Sequence, residues 1–282
     1  MARSFGCSKT TITRQAERLG RHAIVFHTRC LQELLGIREA IAHDHFEGFI
    51  GRQDRALGIG TPVGSRSWFV YGVDPAPHRG SGRRPDRQPV ERARPHRSYV
   101  ESIERTIQAL LPKVSPPNRL RLKADGRIDY VAAVRRLGVE GRVRLRQYPN
   151  PKRGPKGTPR SSEAKVRDAA MFPVDSLHQL IRHSNSEHKR ETISFGRRLE
   201  SILGRAHLTA VWKNFIKFRS ERRPDRTTPA MKVGLAKTPW EWKRIFVRRL
   251  FPARVRPSPP VMKLYCKRWT PQLPPLDRKH AA

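Results

Sequence analysis

A chain of 282 residues with 59 Lys and Arg against 24 Asp and Glu carries a formal net charge of +35, the footprint of a polyanion binder, nucleic acid first among the candidates. No run approaches the roughly 20 apolar residues of a membrane span. The opening Met-Ala-Arg-Ser-Phe-Gly also lacks the apolar core of a secretory signal, so a cytoplasmic protein with no membrane partner is expected. Cys7, Cys30 and Cys266 stand far apart with no CxxC pair, which predicts neither a disulfide framework nor a zinc site. His178, His183 and His188, five apart, do not share a helical face and predict no histidine metal site.

In chain order, residues 2–19 read as the back half of a helix-turn-helix. Residues 2–5 end one helix, Gly6-Cys7-Ser8 turns, and Ser8 caps a second helix from Lys9 to Leu19. Ile12, Ala16 and Leu19 give that helix a buried stripe. Lys9, Thr10, Thr13, Arg14 and Arg18 are left outside, a set suited to phosphates and base edges. The same spacing also fits an ordinary amphipathic helix. The full first helix of such a motif is missing ahead of Ala2, so the motif is partial. Residues 21–39 form a basic, mostly helical connector.

Three strands follow, Ile41–Phe49, Leu57–Gly64 and Trp68–Val73, rich in aromatic and β-branched residues and separated by Gly, Pro and polar residues. Asp44 lies inside the first. A carboxylate there is costly to bury unless it is paired or bound to a metal, and the alternative is a strand-edge aspartate in water. Residues 75–97, with Arg83 and Arg84, shift to Pro, Gly and Arg and read as a basic loop or arm. A helix over Tyr99–Leu111 turns Val100, Ile103, Ile107 and Leu110 to one side. Asn118–Asp125 then alternates, Leu120, Leu122 and Ala124 one way and Arg121, Lys123 and Asp125 the other. Asp125 ends this strand, where open α/β sheets place ligands, although Asp-Gly is also a common turn. A helix begins near Asp129. Residues 146–160, with Lys152, Arg153 and Lys156, make a second basic loop. Helices are expected from Ser161 to Ala170, from about Asp175, and from Arg197 to Arg219. A basic Trp- and Pro-rich tail (223–282) suits either nucleic-acid stacking or a strap across the domain.

The order of these elements, and some of their wording, resembles the ribonuclease-H-like DDE transposases of bacterial insertion sequences, closest to the insertion sequence one type. Phe5-Gly6-Cys7-Ser8-Lys9-Thr10-Thr11 with Arg21-His22 is similar to their DNA-binding segment. Asp44-His45-Phe46-Glu47-Gly48-Phe49 with Ser67-Trp68-Phe69-Val70-Tyr71 is similar to their first catalytic strand and third strand. Met171-Phe172-Pro173-Val174-Asp175, Arg182-His183 and Arg190-Glu191-Thr192-Ile193-Ser194-Phe195 resemble their last acidic helix. The likeness runs from Ala2 to about Trp269.

The resemblance implies an α/β fold, a ribonuclease-H-like mixed sheet with flanking helices over 36–222, preceded by the partial helix-turn-helix of 1–35. It implies Asp44 as first acid and Asp125 as second. Counting along the last helix puts the third acid on Asp175, where relatives carry Glu, and puts His178 where they carry Asn. Glu191 is the alternative third acid. The implied chemistry is metal-dependent cleavage and transfer of DNA strands, with Mg²⁺ (or Mn²⁺) held by Asp44, Asp125 and Asp175. Partners would be element ends and target DNA in the nucleoid, with a homo-oligomer left open. Two rivals stand beside this reading: a truncated or decayed transposase that binds DNA without cutting it, and a basic structural RNA binder that needs no acids.

Overall fold

The computed structural model describes residues 4, 6–79, 95–151, 155, 157–188, 196–221 and 225–269, with backbone alone at 52–54 and 79. Ser8 caps the first helix, its hydroxyl accepting the Thr11 N–H at 3.1 Å. This helix, α1 (Lys9–Glu33), does not end near Leu19 as expected. It runs on through the supposed connector because its buried stripe begins at Gly20 and continues through Ala23, Ile24, Phe26, His27 and Cys30. Gly20 is what lets a second helix, α5 (Leu199–Phe215), approach. A Cβ on residue 20 would stand 3.0 Å from the Gly204 Cα, tighter than nearly all such contacts. Ile12 and Ala16 are only half-buried and Leu19 is exposed, so no residue from 9 to 19 is buried.

Five strands form one mixed sheet: β1 (Ile41–Ile50), β2 (Arg52–Gly64), β3 (Asp74–Arg79), β4 (Leu120–Ala124) and β5 (Val143–Gln147), in the order β3-β2-β1-β4-β5. β1–β2 and β2–β3 are antiparallel, while β1–β4 and β4–β5 are parallel. Parallel neighbours need crossovers. α2 (Arg97–Leu110) precedes β4, and α3 (Ile128–Leu137) joins β4 to β5.

The third strand is not Trp68–Val73. Phe69, Val70 and Tyr71 are buried, but their only ladder contact is one bridge, Val63 to Val70. Side chains take the backbone groups a neighbouring strand would have bonded. Asn214 accepts the Val70 N–H at 2.8 Å and donates to the Val70 carbonyl at 2.9 Å, and His27 Nε2 reaches that carbonyl at 2.8 Å. β3 forms instead at the start of the expected loop. As an edge strand it tolerates Pro75 and Pro77, and Arg105 clamps Asp74 through Nη2 and Nε at 2.6 and 2.9 Å.

α2 and α3 cover one face of the sheet, packing Val100, Ile103, Ala133 and Val134 against Leu120 and Leu122. On the other face lies α4 (Ser162–Ser184), a single helix where two pieces were expected. Pro173 removes one helical hydrogen bond, at a cost of about 3 kcal/mol. Met171, Val174, Leu177 and Ile181 offset that loss by burial against Phe46, Leu57 and Ile59, each worth roughly 2 kcal/mol. α5 packs beside α1. The short helices α6 (Pro229–Lys232), α7 (Trp242–Phe246), α8 (Pro252–Val255) and α9 (Pro259–Tyr265) follow, and the last three lie against α1. Trp240 is buried against Phe26 and Phe215, so this ring anchors the chain's own tail and is not free for stacking on bases. No helix among the described residues is long and apolar enough to cross a membrane.

Candidate functional site

Asp44 shares a face of β1 with Ala42 and Phe46, both packed in the α4 cluster, so its side chain points toward α4. Ile41 lies opposite Leu122 and Ala42 opposite Lys123. Two residues further along, the parallel register brings Asp44 level with Asp125, the first residue past β4. Asp175 descends from the middle of α4 onto the same face. Burial drives the Asp44 carboxyl from 3.8 up to about 7, and the charges of Asp125 and Asp175 add to the rise. The His45 N–H, which donates to Asp44 Oδ1 at 2.8 Å, and the Arg167 guanidinium oppose it. Asp125 is also raised, first by burial, against the Arg127 N–H that it accepts at 3.1 Å.

Asp125 therefore has two roles. It closes the turn after β4, the plain Asp-Gly role, and it is half-buried beside Asp44. Asp175 behaves differently. Arg167, one face up the same helix, engages both of its oxygens: Nη1 bonds Oδ2, and Nη2 stands 3.4 Å from Oδ1. His178 lies beyond, its Nε2 2.7 Å from the Thr61 hydroxyl and its Nδ1 3.8 Å from Asp44 Oδ2. Burial depresses His178 to about 3, so it faces Asp44 as a neutral ring, not as a cation.

The cleft over these residues holds about 450 Å³ and is lined by Asp44, Glu47, Arg160, Arg167, Asp175 and Arg182 among others. Its guanidiniums, Arg160, Arg167 and Arg182, stand among carboxylates and suit a phosphodiester, whose oxygens the cations would hold. A three-carboxylate metal site is not formed by this arrangement. Among the described residues no group of three or more His, Cys, Asp or Glu side chains is placed to hold a metal ion, and Asp175 is taken by Arg167. Asp44 and Asp125 come together across the parallel strands, with Asp175 nearby but held by Arg167.

The opposite face of β1 is of another kind. His43 and His45 point toward α2 and α3, where His43 Nδ1 lies 2.9 Å from the Tyr130 hydroxyl and His45 Nε2 lies 3.2 Å from Ser102 Oγ. Burial holds both rings neutral, His43 at about 3 and His45 well below its usual value. They are core groups.

Of the other expected residues, Lys9, Thr10, Thr13, Arg14 and Arg18 are all exposed on the first turns of α1. Arg83, Arg84, Lys152, Arg153, Lys156 and the alternative acid Glu191 lie outside the described residues. Sequence reasoning passed over Arg167, quoted Arg182 only within the resemblance and took Arg160 only as the end of a basic loop. The spacing Arg167, Met171, Val174, His178, Arg182 marks a single helical face and was the signal available. Comparison of the chain with protein-family models, curated proteins and solved structures finds no match.

Proposed function

We propose that this chain acts on DNA as a ribonuclease-H-like protein of the DDE transposase type, cleaving and transferring strands at the ends of a mobile element. The observation that carries this reading is the convergence of Asp44 and Asp125. Asp44 sits on the central strand β1 and Asp125 just past the end of its parallel neighbour β4 in the β3-β2-β1-β4-β5 sheet, with Asp175 close enough on the covering helix to raise Asp44. The strand order and directions, the guanidiniums lining the cleft and the net charge of +35 support it further. The residues themselves would hold the phosphodiester through Arg160 and Arg182 and exchange a proton at Asp44 near neutral pH.

One observation favours the second reading, a transposase-type chain that binds DNA without cutting it. Arg167 neutralises Asp175, the group that would have to be free. A strand-nicking assay separates the two, using duplexes taken from the DNA flanking the gene, Mg²⁺, and the wild-type, Asp44→Asn and Arg167→Ala proteins. Nicking by wild type that Asp44→Asn abolishes supports strand cleavage. No nicking by wild type or Arg167→Ala, with DNA binding intact, supports the non-catalytic reading.

A further inference from the structure

Past the cleft, the same face of the sheet carries four cations in a square. β4 and β5 pair in parallel with Arg121 opposite Arg144 and Lys123 opposite Arg146. Leu120, Leu122 and Ala124 of β4 and Val143 of β5 point into the core, so the alternate residues share the outer face. Arg121, Arg144 and Arg146 are exposed and Lys123 is half-buried. Neighbours across the strands lie roughly 4.8 Å apart, and residues two apart on a strand about 6.6 Å.

Like charges placed directly opposite one another destabilise a sheet. Several arginines elsewhere in the molecule are matched to carboxylates, as in Arg29–Glu33, Arg105–Asp74, Arg127–Asp129 and Arg205–Glu187. None of these four has a carboxylate partner among the described residues. Arg121 donates to the Arg38 carbonyl, and Arg146 stacks 5.2 Å over the Tyr148 ring. Burial, then the charges of Arg146 and Arg121, lower the Lys123 amine from its usual value, so the repulsion is felt within the square. At the outer end, an open hollow of about 620 Å³ continues the basic surface through Arg38, Arg119, Arg121 and Arg144. At the inner end β4 leads directly to Asp125.

We propose that the outer face of β4 and β5, carrying Arg121, Lys123, Arg144 and Arg146, is a phosphate track that seats a DNA backbone and leads it past Asp125 toward the cleft over Asp44. Two rows of cations, repeated along the strand direction, follow an extended phosphodiester chain and read no bases, so affinity here is independent of sequence. The leading of DNA to the cleft rests on the function proposed above; the track itself rests on the β4–β5 face alone.

The test is the salt dependence of binding to a labelled random-sequence duplex, followed by fluorescence anisotropy over about 50–200 mM salt. Replacing two of the cations, in R144Q/R146Q, is expected to weaken binding roughly tenfold at the upper salt and to flatten the log–log slope by about 1.8, the value for two lost phosphate contacts. The conservative R144K/R146K keeps the slope. R135Q/R136Q removes the same charge from α3 on the opposite face of the sheet, so its slope change should be less than half as large. Thermal unfolding of R144Q/R146Q should occur no lower than in wild type, because repulsion is relieved. Equal effects of R144Q/R146Q and R135Q/R136Q would overturn the track, as would binding to anionic lipid vesicles with none to the duplex. The readout is binding, so a protein that shows the track but never nicks DNA rejects strand cleavage and leaves the track standing.

Discussion

The cleft and the β4–β5 face lie side by side on one surface of the sheet; the cleft mixes carboxylates with guanidiniums, whereas the β4–β5 face presents cations alone. The cleft answers its carboxylates from within: Arg167 closes on Asp175, and Asp44 keeps a proton to about pH 7. The β4–β5 face leaves Arg121, Lys123, Arg144 and Arg146 unanswered by any described carboxylate. Like charge neutralised from inside lowers the demand for an outside ion. Like charge left open raises it. By this comparison the molecule is prepared to take up an anion more than to take up a metal.

The largest expected effect is at Asp44. Its carboxyl is higher in the folded chain than in the unfolded one, so its contribution to stability is fully present below about pH 4 and is lost as pH rises through about 7. Asp44→Asn removes that loss. In urea denaturation without divalent ions, the variant should gain about 2–4 kcal/mol on wild type at pH 8 relative to the difference at pH 4. A pH-independent difference would mean Asp44 is not buried beside other acids.

Next comes the internal counter-charge. Arg167→Ala leaves the half-buried Asp175 unpaired and takes from Asp44 one of the groups holding its carboxyl down. It should cost about 2 kcal/mol at neutral pH and move the Asp44 titration upward. Mg²⁺ should then protect Arg167→Ala against thermal unfolding more than it protects wild type. Equal protection would show that Arg167 does not compete with a cation.

Much of this architecture was legible in the residues. Ile41–Phe49, Leu57–Gly64 and Leu120–Ala124 alternate or run apolar as strands do, and Asp44 and Asp125 stood out as carboxylates in or at the end of them. What failed were features decided between elements. The helix expected to end at Leu19 runs on to Glu33 because the residues from Gly20 to Cys30 pack inward, Gly20 against Gly204 of α5. Phe69–Tyr71 had the composition of a strand, but Asn214 and His27 took its hydrogen bonds. Pro173 looked like a helix break until burial on β1 and β2 held α4 together. β5 has clean alternation, Val143 and Leu145 against Arg144 and Arg146, hidden because its outward residues are all basic and run into a basic loop. Arg167 could not be assigned to Asp175 from spacing alone, since eight residues separate them.

The smallest effect falls on the basic face. Arg144→Gln should raise stability by roughly 0.5 kcal/mol, read by thermal unfolding at low salt, because one like-charge cross-strand pair is removed. The gain should fade as salt rises, since exposed charges are screened. A loss of stability at low salt would mean Arg144 has a carboxylate partner after all.

The convergence of Asp44 and Asp125 is tested most directly by following the Asp44 carboxyl carbon by NMR through a pH titration, in wild type and in Asp125→Asn, without divalent ions. The midpoint should lie near 7 in wild type and fall measurably in Asp125→Asn, because the neighbouring negative charge is gone. An ordinary midpoint near 4 in both proteins, or a high one that Asp125→Asn does not move, would contradict a shared acidic site.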